Sequence, residues 1–262
     1  MKKIAFCFLI YDIINHEDIW NIFFKNVDKN KYNIYIHYKE NTPLKYFDQY
    51  KLTECVETSH GTISLILAQN LLLKKALQDK ANKHFIFISN SCIPLKNFHY
   101  IYNGLNESYS YFNITPQSSC FPRCNKIINM INKKYIQKAS QWCILNSKHA
   151  TLMCENTGYI EWFKNIKAPD EHCYITNIYY HGLEKEIQTT ANLSDGATTF
   201  TNWPNMTYKY KYPADKKLHI YTTISNEELL HLIKSKSLFG RKFDKTCTLL
   251  SNKPYLNTIT ST

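Results

Sequence analysis

The sequence has few of the residues that mark fibrous or flexible proteins. Six glycines and eight prolines in 262 residues exclude collagen-like and low-complexity chains. No uninterrupted apolar run approaches the roughly 18 residues of a membrane span, so no transmembrane anchor is expected. With 44% hydrophobic and 15% aromatic residues, the chain has enough apolar surface for one substantial core. We therefore expect a globular protein.

The common nucleotide-binding signatures are absent as well. No GxGxxG or GxxxxGK[ST] pattern occurs, which argues against Rossmann dinucleotide and P-loop sites. None of the nine aspartates stands two positions from another, so the Asp-x-Asp pair that holds a divalent metal in many nucleotide-sugar enzymes is lacking. Glu184 and Glu186 have that spacing, but their segment is typical of a solvated helix end. A bound nucleotide diphosphate would need cationic side chains instead.

Cysteine patterns give no metal site either. The nine cysteines form no CxxC pair, and Cys120 and Cys124 have no second pair to complete a zinc site. Four of them lie in apolar or motif-like segments: Cys7, Cys92, Cys143 and Cys173. We expect buried free thiols there and no bound metal.

Acidic residues are fewer than basic residues in this sequence. Thirty lysines and two arginines against 21 acidic residues give a net charge of +11, which favours anionic ligands. The positive residues are scattered from Lys2 to Lys253 in runs no longer than two, unlike a nucleic-acid-binding stripe. Nucleic-acid binding is thus a minor alternative that rests on net charge alone. The abundance of Lys, Asn and Ile is typical of an AT-rich genome.

The first hundred residues alternate strand and helix patterns. Apolar runs predict strands, and apolar residues at helical spacing predict helices between them. The strands are expected at residues 4–10, 33–37 and 84–89, and the helices at 16–27 and 62–76. This β-α-β-α-β order predicts an α/β fold with a mostly parallel sheet flanked by helices. Ligands bind beyond the carboxyl ends of such strands, which here carry Tyr11, His37 and Asn90.

The second half is less regular, and no linker divides it from the first. We expect a single domain over residues 1–245 and a C-terminal tail over 246–262. The predicted elements are a strand at 141–145, helices at 148–155, 159–165, 169–180 and 226–233, a polar loop at 186–213 with a buried Trp203, and a strand at 218–223.

Two short stretches are candidates for chemistry. Acidic residues follow Pro169 at a predicted helix start, where Asp170 would cap the helix and Glu171 would act as a general base towards a hydroxyl. Ordinary helix capping is the alternative. Near the C-terminus, Arg241 and Lys242 stand together between aromatic residues. They form either a solvated basic turn or an anion site.

Seven motifs occur in the order seen in a known enzyme family. The sequence resembles the core-2/I-branching β-1,6-N-acetylglucosaminyltransferases, glycosyltransferase family 14, including its plant branch. The resemblance covers residues 3 to about 244, and the ordered set is much more specific than any one motif. The motifs are Lys3–Asp12, Tyr32–His37, Gly61–Leu65, Phe87–Leu95, Lys138–Trp142, Ala168–Glu171 and Ser237–Phe243.

The resemblance implies a fold, a mechanism and a set of roles. It implies a variant GT-A fold, inversion at the anomeric carbon, and catalysis with neither a divalent metal nor another cofactor. The general base falls on Glu171, and Lys242 neutralises the donor diphosphate with help from Arg241. The resemblance further places Gly61 and Ser64 on the donor side, and Ser140, Gln141, Trp142 and Asp170 in the substrate pocket. From their positions at strand ends, Tyr11 and His37 are expected on the donor side and Asn90 in the pocket.

Two departures from the family pattern concern binding. The family's second phosphate-binding arginine falls on His219, and Lys216 or Lys217 could replace it with a small shift. An aspartate that follows the second strand and contacts the nucleotide in animal members has no acidic match at Tyr38 or Lys39, so we expect donor recognition to differ. Arg123 resembles a Pro-Arg pair of the plant branch, for which we expect a donor or acceptor contact. We expect no counterpart of the membrane anchor and stem that are usual in the family.

Together these features predict an inverting, metal-independent glycosyltransferase. It would move a sugar from a UDP-sugar to a glycan or glycoconjugate hydroxyl and form a β-linkage. N-acetylglucosamine is the favoured sugar, with xylose and glucuronic acid as alternatives. A catalytically inactive nucleotide-sugar or glycan-binding module is the rival hypothesis. We expect a cytoplasmic enzyme of a virus or microbe, with peripheral membrane contact through the basic surface left open.

Overall fold

A computed structural model describes residues 1–189, 198–204, 208–210, 212 and 217–261. The strands are β1 (Lys3–Ile10), β2 (Tyr32–Tyr38), β3 (Asn82–Ser89), β4 (Ile93–Pro94), β5 (Ser110–Phe112), β6 (Ile114–Thr115), β7 (Lys138–Ala139), β8 (Ile144–Asn146), β9 (Ile187–Thr189), β10 (Thr199–Thr201) and β11 (Phe239–Arg241). The helices are α1 (Glu17–Phe24), α2 (Ser64–Ala76), α3 (Phe98–Gly104), α4 (Phe121–Cys124), α5 (Ser147–Glu155), α6 (Tyr159–Phe163), α7 (Cys173–Tyr180), α8 (Asn226–Lys234) and α9 (Lys253–Thr260). A 3₁₀ turn at Pro169–Glu171 precedes α7.

The central sheet has six strands in the order β2-β1-β3-β8-β5-β9. Strand β1 pairs in parallel with both β2 and β3, and β5 pairs in parallel with β9. Strand β8 runs antiparallel to its neighbours β3 and β5. The predicted α/β class, a mostly parallel sheet flanked by helices, is confirmed.

Two apolar clusters cover the two faces of this sheet. Alternate residues of β1 enter different clusters: Phe6 and Phe8 belong to the first, and Ala5 and Cys7 to the second. The first cluster includes residues of α1, α8 and α9, and the second includes residues of α2, α5 and α7. Because β1 is covered on both faces, its sequence is a continuous apolar run rather than an alternating one.

The first-half elements match their predictions, whereas several second-half elements differ. The strand predicted from residue 141 begins only at Ile144. Residues 140–142 are held outside the sheet, since the amide of Ser140 donates to the carbonyl of Asn113 at 2.9 Å. The helix predicted from Pro169 is broken at His172, whose φ of −127° and ψ of −39° are not helical.

The predicted polar loop at 186–213 contains strands β9 and β10, and part of it lies outside the described residues. Trp203 is 42% exposed rather than buried. In place of the strand predicted at 218–223, the described residues there form a single bridge from Tyr221 to Phe243.

The C-terminal segment 246–262 contains helix α9, which packs against α1 and α8. Its Tyr255 is fully buried and donates a hydrogen bond to the carbonyl of Pro94 at 2.9 Å. This segment therefore contributes to the first apolar cluster.

All nine cysteines are free thiols, and Cys7, Cys92, Cys143 and Cys173 are buried, as predicted. Among the described residues, no helix is both long enough and apolar enough to cross a membrane.

Candidate active site

Strand β11 brings the basic pair of the C-terminal region to the carboxyl end of the central sheet. Gly240 pairs with Ile93 of β4, and the amide of Phe243 donates to the carbonyl of Ser91 at 2.9 Å. A Cβ atom on Gly240 would lie 3.3 Å from side-chain carbons of Leu95 and Phe243, so glycine permits this close packing. Arg241 and Lys242 therefore lie beside the loop that contains Asn90.

A backbone hydrogen bond joins two of the sequence motifs. The amide of Ala168 donates to the carbonyl of Gly61 at 2.9 Å. Both residues have left-handed backbones, with φ of 54° at Ala168 and 69° at Gly61. The link holds the turn that carries Asp170 and Glu171 against the start of α2. Ser64 is engaged within that start, since its Oγ accepts a hydrogen bond from the amide of Ser59 at 2.9 Å.

The carboxylate of Glu171 lies between two cations. Its Oε2 is 2.5 Å from Nη1 of Arg123 and 3.4 Å from Nζ of Lys138. The side chain is 29% exposed, so an incoming hydroxyl can reach it. Arg123, which the sequence placed among the substrate contacts, thus lies against the candidate base. Lys138 was missed as a site residue, although its motif was identified.

The neighbouring carboxyl of Asp170 has a different environment. Burial, together with the charge of Glu171, raises its pKa to about 6, against the opposing influence of its own backbone amide, His60 and Arg123. Its Oδ1 is buried without a hydrogen-bond partner in the described part of the chain. Asp170 therefore holds a proton far more readily than an exposed aspartate does.

Arg241 packs against an aromatic side chain from another part of the site. Its Cζ lies 4.7 Å from the centre of the Trp142 ring, a cation–π contact. Burial lowers the pKa of Arg241, and the nearby Cys92 and Asp170 oppose that shift. The Nε atom is buried and has no hydrogen-bond partner among the described residues. Arg241 thus connects the Trp142 motif electrostatically to the acidic motif.

Lys242 is half-buried, and burial followed by the charge of Arg241 lowers its pKa. Its carbonyl accepts a hydrogen bond from the amide of Tyr221 at 2.8 Å. Nearby, the His219 ring stacks on Tyr212 with centroids 3.7 Å apart. Lys217 is exposed, and Lys216 lies outside the described residues.

The residues at the ends of the first three strands differ in exposure. Tyr11 is 49% exposed, with the ammonium of Lys39 5.3 Å above its ring. His37 is fully buried, and burial lowers its pKa to about 4, so its ring is neutral. Its Nε2 accepts a hydrogen bond from the amide of Val56 at 2.9 Å, which fixes the 55–56 segment against β2. Asn90 donates to Oδ1 of Asn15 at 3.3 Å.

The part of the chain that the structure describes contains no group of three or more His, Cys, Asp or Glu side chains that could hold a metal. Glu186, one of the two glutamates that stand two positions apart, forms an ion pair instead: its Oε1 lies 2.5 Å from Nζ of Lys148.

Comparison with known proteins decides the family. The model of the core-2/I-branching enzymes matches residues 4–233. The chain belongs to the core-2/I-branching enzyme family. It is 27% identical over 252 residues to glycosyltransferase BC10 of Oryza sativa subsp. japonica, in a match that covers 79% of this chain and 62% of that protein. The resemblance drawn from the seven motifs, including its plant branch, is confirmed.

A solved structure also aligns with most of this core-2/I-branching family chain. The WbbM bifunctional glycosyltransferase in its apo form matches with a TM-score of 0.46 and 11% identity, over 92% of this chain and 46% of that one.

Proposed function

We propose that this chain transfers a sugar from a UDP-sugar to a glycan or glycoconjugate hydroxyl, with inversion and without a metal ion. The observation that carries the proposal is the placement of Glu171 and the Arg241–Lys242 pair around one site. Asp170, next to Glu171 on the same turn, interacts electrostatically with Arg241, whose guanidinium also lies against Trp142.

Glu171 is the proposed general base. As the acceptor oxygen forms its bond to the anomeric carbon, the carboxylate takes the proton of that hydroxyl. The bond between the anomeric carbon and the diphosphate breaks on the opposite face, which converts an α-linked donor into a β-linked product. Arg123 and Lys138 fix the orientation of the carboxylate through their contacts with Oε2.

Lys242 is the proposed counter-charge for the leaving group. When the bond breaks, its electron pair stays on the diphosphate, so negative charge builds there. A half-buried ammonium stabilises that charge more strongly than an exposed one, because less water competes for it. Arg241 adds a second positive charge next in sequence. The donor is a UDP-sugar, with N-acetylglucosamine favoured over xylose and glucuronic acid.

The decisive experiment is UDP release from a panel of UDP-sugars, with and without EDTA. We expect release from one donor that EDTA does not inhibit. Glu171→Gln should reduce the rate by about 10²–10⁴-fold while the Kd for UDP stays unchanged. The control is Glu161→Gln, which alters an exposed carboxylate that pairs with Lys164.

Two other outcomes would change the proposal. Loss of UDP binding in Glu171→Gln, equal to its loss of activity, would remove Glu171 from the role of base. Intact UDP binding by the wild type, with no release from any donor and acceptor tested, would favour the rival hypothesis of an inactive binding module.

A further inference from the structure

Acidic residues are missing from one stretch in the middle of the chain. Between Glu107 and Glu155 the sequence has no aspartate or glutamate, but it has six basic residues. They are Arg123, Lys126, Lys133, Lys134, Lys138 and Lys148. More than half of the net charge of +11 therefore comes from less than a fifth of the chain.

Within this stretch, a turn at residues 127–131 has apolar side chains that face both inward and outward. Ile127 and Ile131 are buried in the second apolar cluster, and the amide of Ile131 donates to the carbonyl of Ile127 at 3.0 Å. Between them, Ile128 is 37% exposed and Met130 is 56% exposed. Because the buried pair anchors the turn, the exposed pair is held out in solvent.

The next turn is fixed by a glutamine side chain. Nε2 of Gln117 donates to the backbone carbonyls of Lys133 and Ile136, each at 3.1 Å. This turn packs against α7. The two turns follow each other directly, so residues 126–135 form one anchored stretch of surface.

Aromatic side chains extend this surface onto α6 and α7. The Tyr135 ring lies edge-on to the Tyr180 ring with centroids 5.6 Å apart, and Trp162 contacts Tyr180 at 4.8 Å. Tyr180 is 45% exposed. Tyrosine and tryptophan favour the boundary between water and lipid, because their rings are apolar and their polar atoms reach water.

Lysines flank these exposed apolar side chains. Lys126 and Lys134 are both exposed, and the ammonium of Lys134 lies 4.8 Å from the centre of the Tyr135 ring. Neither lysine forms an ion pair within the described part of the chain. Glu161, next to Trp162, is itself paired with Lys164. Exposed apolar side chains between unpaired lysines are complementary to a layer of anionic lipid headgroups.

We propose that this docking surface, defined by Lys126, Ile128, Met130, Lys134 and Tyr180, binds the chain to an anionic membrane. Ile128 and Met130 enter the boundary between headgroups and acyl chains, and the lysines contact lipid phosphates. Lysine is depleted at protein–protein interfaces, whereas each lysine near an anionic bilayer adds attraction, so the composition favours a membrane over a protein partner. The proposal does not depend on the proposed function.

The experiment measures co-sedimentation of the full chain with vesicles of phosphatidylcholine, with and without phosphatidylserine. The wild type should bind the vesicles that contain phosphatidylserine, and salt should weaken this binding because it screens the lysines. Met130→Ser should weaken the binding about 10-fold, since its apolar side chain no longer enters the bilayer. Lys126→Gln combined with Lys134→Gln should weaken it about 30-fold, at roughly fivefold for each lysine.

The matched controls lie in the C-terminal segment, which packs on the opposite face of the sheet. Leu250→Ser changes an apolar side chain that is 50% exposed. Lys245→Gln combined with Lys253→Gln removes two exposed charges and so lowers the net charge by the same amount as the first lysine pair. Both controls should bind the vesicles nearly as the wild type does. Thermal melts of all variants check that each one folds.

Three results would overturn the proposal. Wild-type binding in Met130→Ser, together with equal losses in the two lysine pairs, would show that net charge alone attracts the chain. Equal binding to vesicles with and without phosphatidylserine would remove the requirement for anionic lipid. Binding to neither kind of vesicle would leave the surface to a protein partner. Calorimetry with UDP is a separate measurement, so a failure of membrane binding and a failure of the proposed function are distinguishable.

Discussion

At the scale of single residues, the two acidic neighbours of the 3₁₀ turn have different partners. Glu171 contacts Arg123 and Lys138, whereas Asp170 is buried with an unpartnered Oδ1. Under the proposed function, the partly exposed, ion-paired carboxylate is the one we expect to take the proton, and the buried one to act in binding. Adjacent positions on a tight turn point in different directions, so one short motif can serve both sides of a site.

Burial of Asp170 gives a pH dependence of stability. The pKa of Asp170 is about 6 in the folded chain and near 3.8 when the side chain is exposed. Between these two pH values, the folded state therefore binds more protons than the unfolded state does. The free energy of unfolding should therefore fall as the pH rises from about 4 to about 6 and then level off. Asp170→Asn removes this penalty and should stabilise the fold at pH 7.5 by up to about 3 kcal/mol.

The measurement is urea denaturation of wild type and Asp170→Asn at pH 4, 6 and 7.5. The two stabilities should converge at pH 4. A constant difference at all three values would show that Asp170 titrates normally.

Lys242 provides a second prediction at this scale. Lys242→Ala should weaken UDP about 10- to 100-fold, because a charge-assisted hydrogen bond to phosphate is lost, and should leave uridine binding nearly unchanged. Calorimetry with both ligands measures the difference. The exposed Lys245→Ala, three positions along, is the control. Equal losses for UDP and uridine would place Lys242 away from the diphosphate.

Local sequence identified the residues within motifs but not their long-range partners. Glu171, Arg241 and Lys242 could be selected from their immediate neighbours. Lys138 could not, since it reaches the site only through the position of β7 in the fold. His37 was selected because it lies near the end of a strand, yet its ring is buried against the 55–56 segment. A strand-end position does not specify which way a side chain faces.

At the scale of elements, the joint between α2 and the 3₁₀ turn depends on left-handed backbone. Gly61 has φ of 69°, and a Cβ atom placed on it would have only an ordinary contact with Ala168, at 3.8 Å. Gly61→Ala should therefore cost about 1–2 kcal/mol through backbone strain alone. It should also lower activity, because the joint positions Glu171.

Gly104 is the matched control for this substitution. It ends α3, and a methyl group added there would meet no atom within 4 Å, so Gly104→Ala should stabilise by about 0.5–1 kcal/mol. Urea melts of both variants give the comparison. If both substitutions lowered the free energy of unfolding, or both raised it, the left-handed backbone at Gly61 would not be the cause.

An element could be predicted from the sequence where its own residues form a clear apolar pattern. Strands β1 to β3 and helices α1 and α2 have long apolar patterns, and the sequence located them well. Strands β9 and β10 have three residues each, too few for a periodic pattern. Their position depends on the strands with which they pair, β5 for β9 and β11 for β10, rather than on a pattern in their own residues.

At the scale of the whole molecule, the C-terminal helix stabilises the fold. Tyr255 of α9 is fully buried, and Ile259 is nearly so. Tyr255→Ala should reduce the free energy of unfolding by about 3–5 kcal/mol, the usual cost of removing a large buried aromatic ring. Tyr255→Phe loses only the hydrogen bond to Pro94 and should cost about 0.5–1.5 kcal/mol.

Thermal and urea unfolding of both Tyr255 variants provide the test. The exposed Tyr100→Ala is the control, since it removes the same kind of side chain without emptying the core. A Tyr255→Ala variant as stable as this control would show that α9 contributes little to stability.

The pairing of β11 with β4 also has a consequence for synthesis on the ribosome. Gly240 pairs with Ile93, so the earlier strand is made long before its partner. At typical elongation rates of about 5–20 residues per second, the nascent chain waits about 7 to 30 s for this pairing. During that interval the edge of β4 that pairs with β11 is open, and Arg241 and Lys242 have not yet been made. Nascent chains thus lack the pairing of β4 with β11 until residue 240 has been made, and slow codons before that point would prolong their exposure to aggregation.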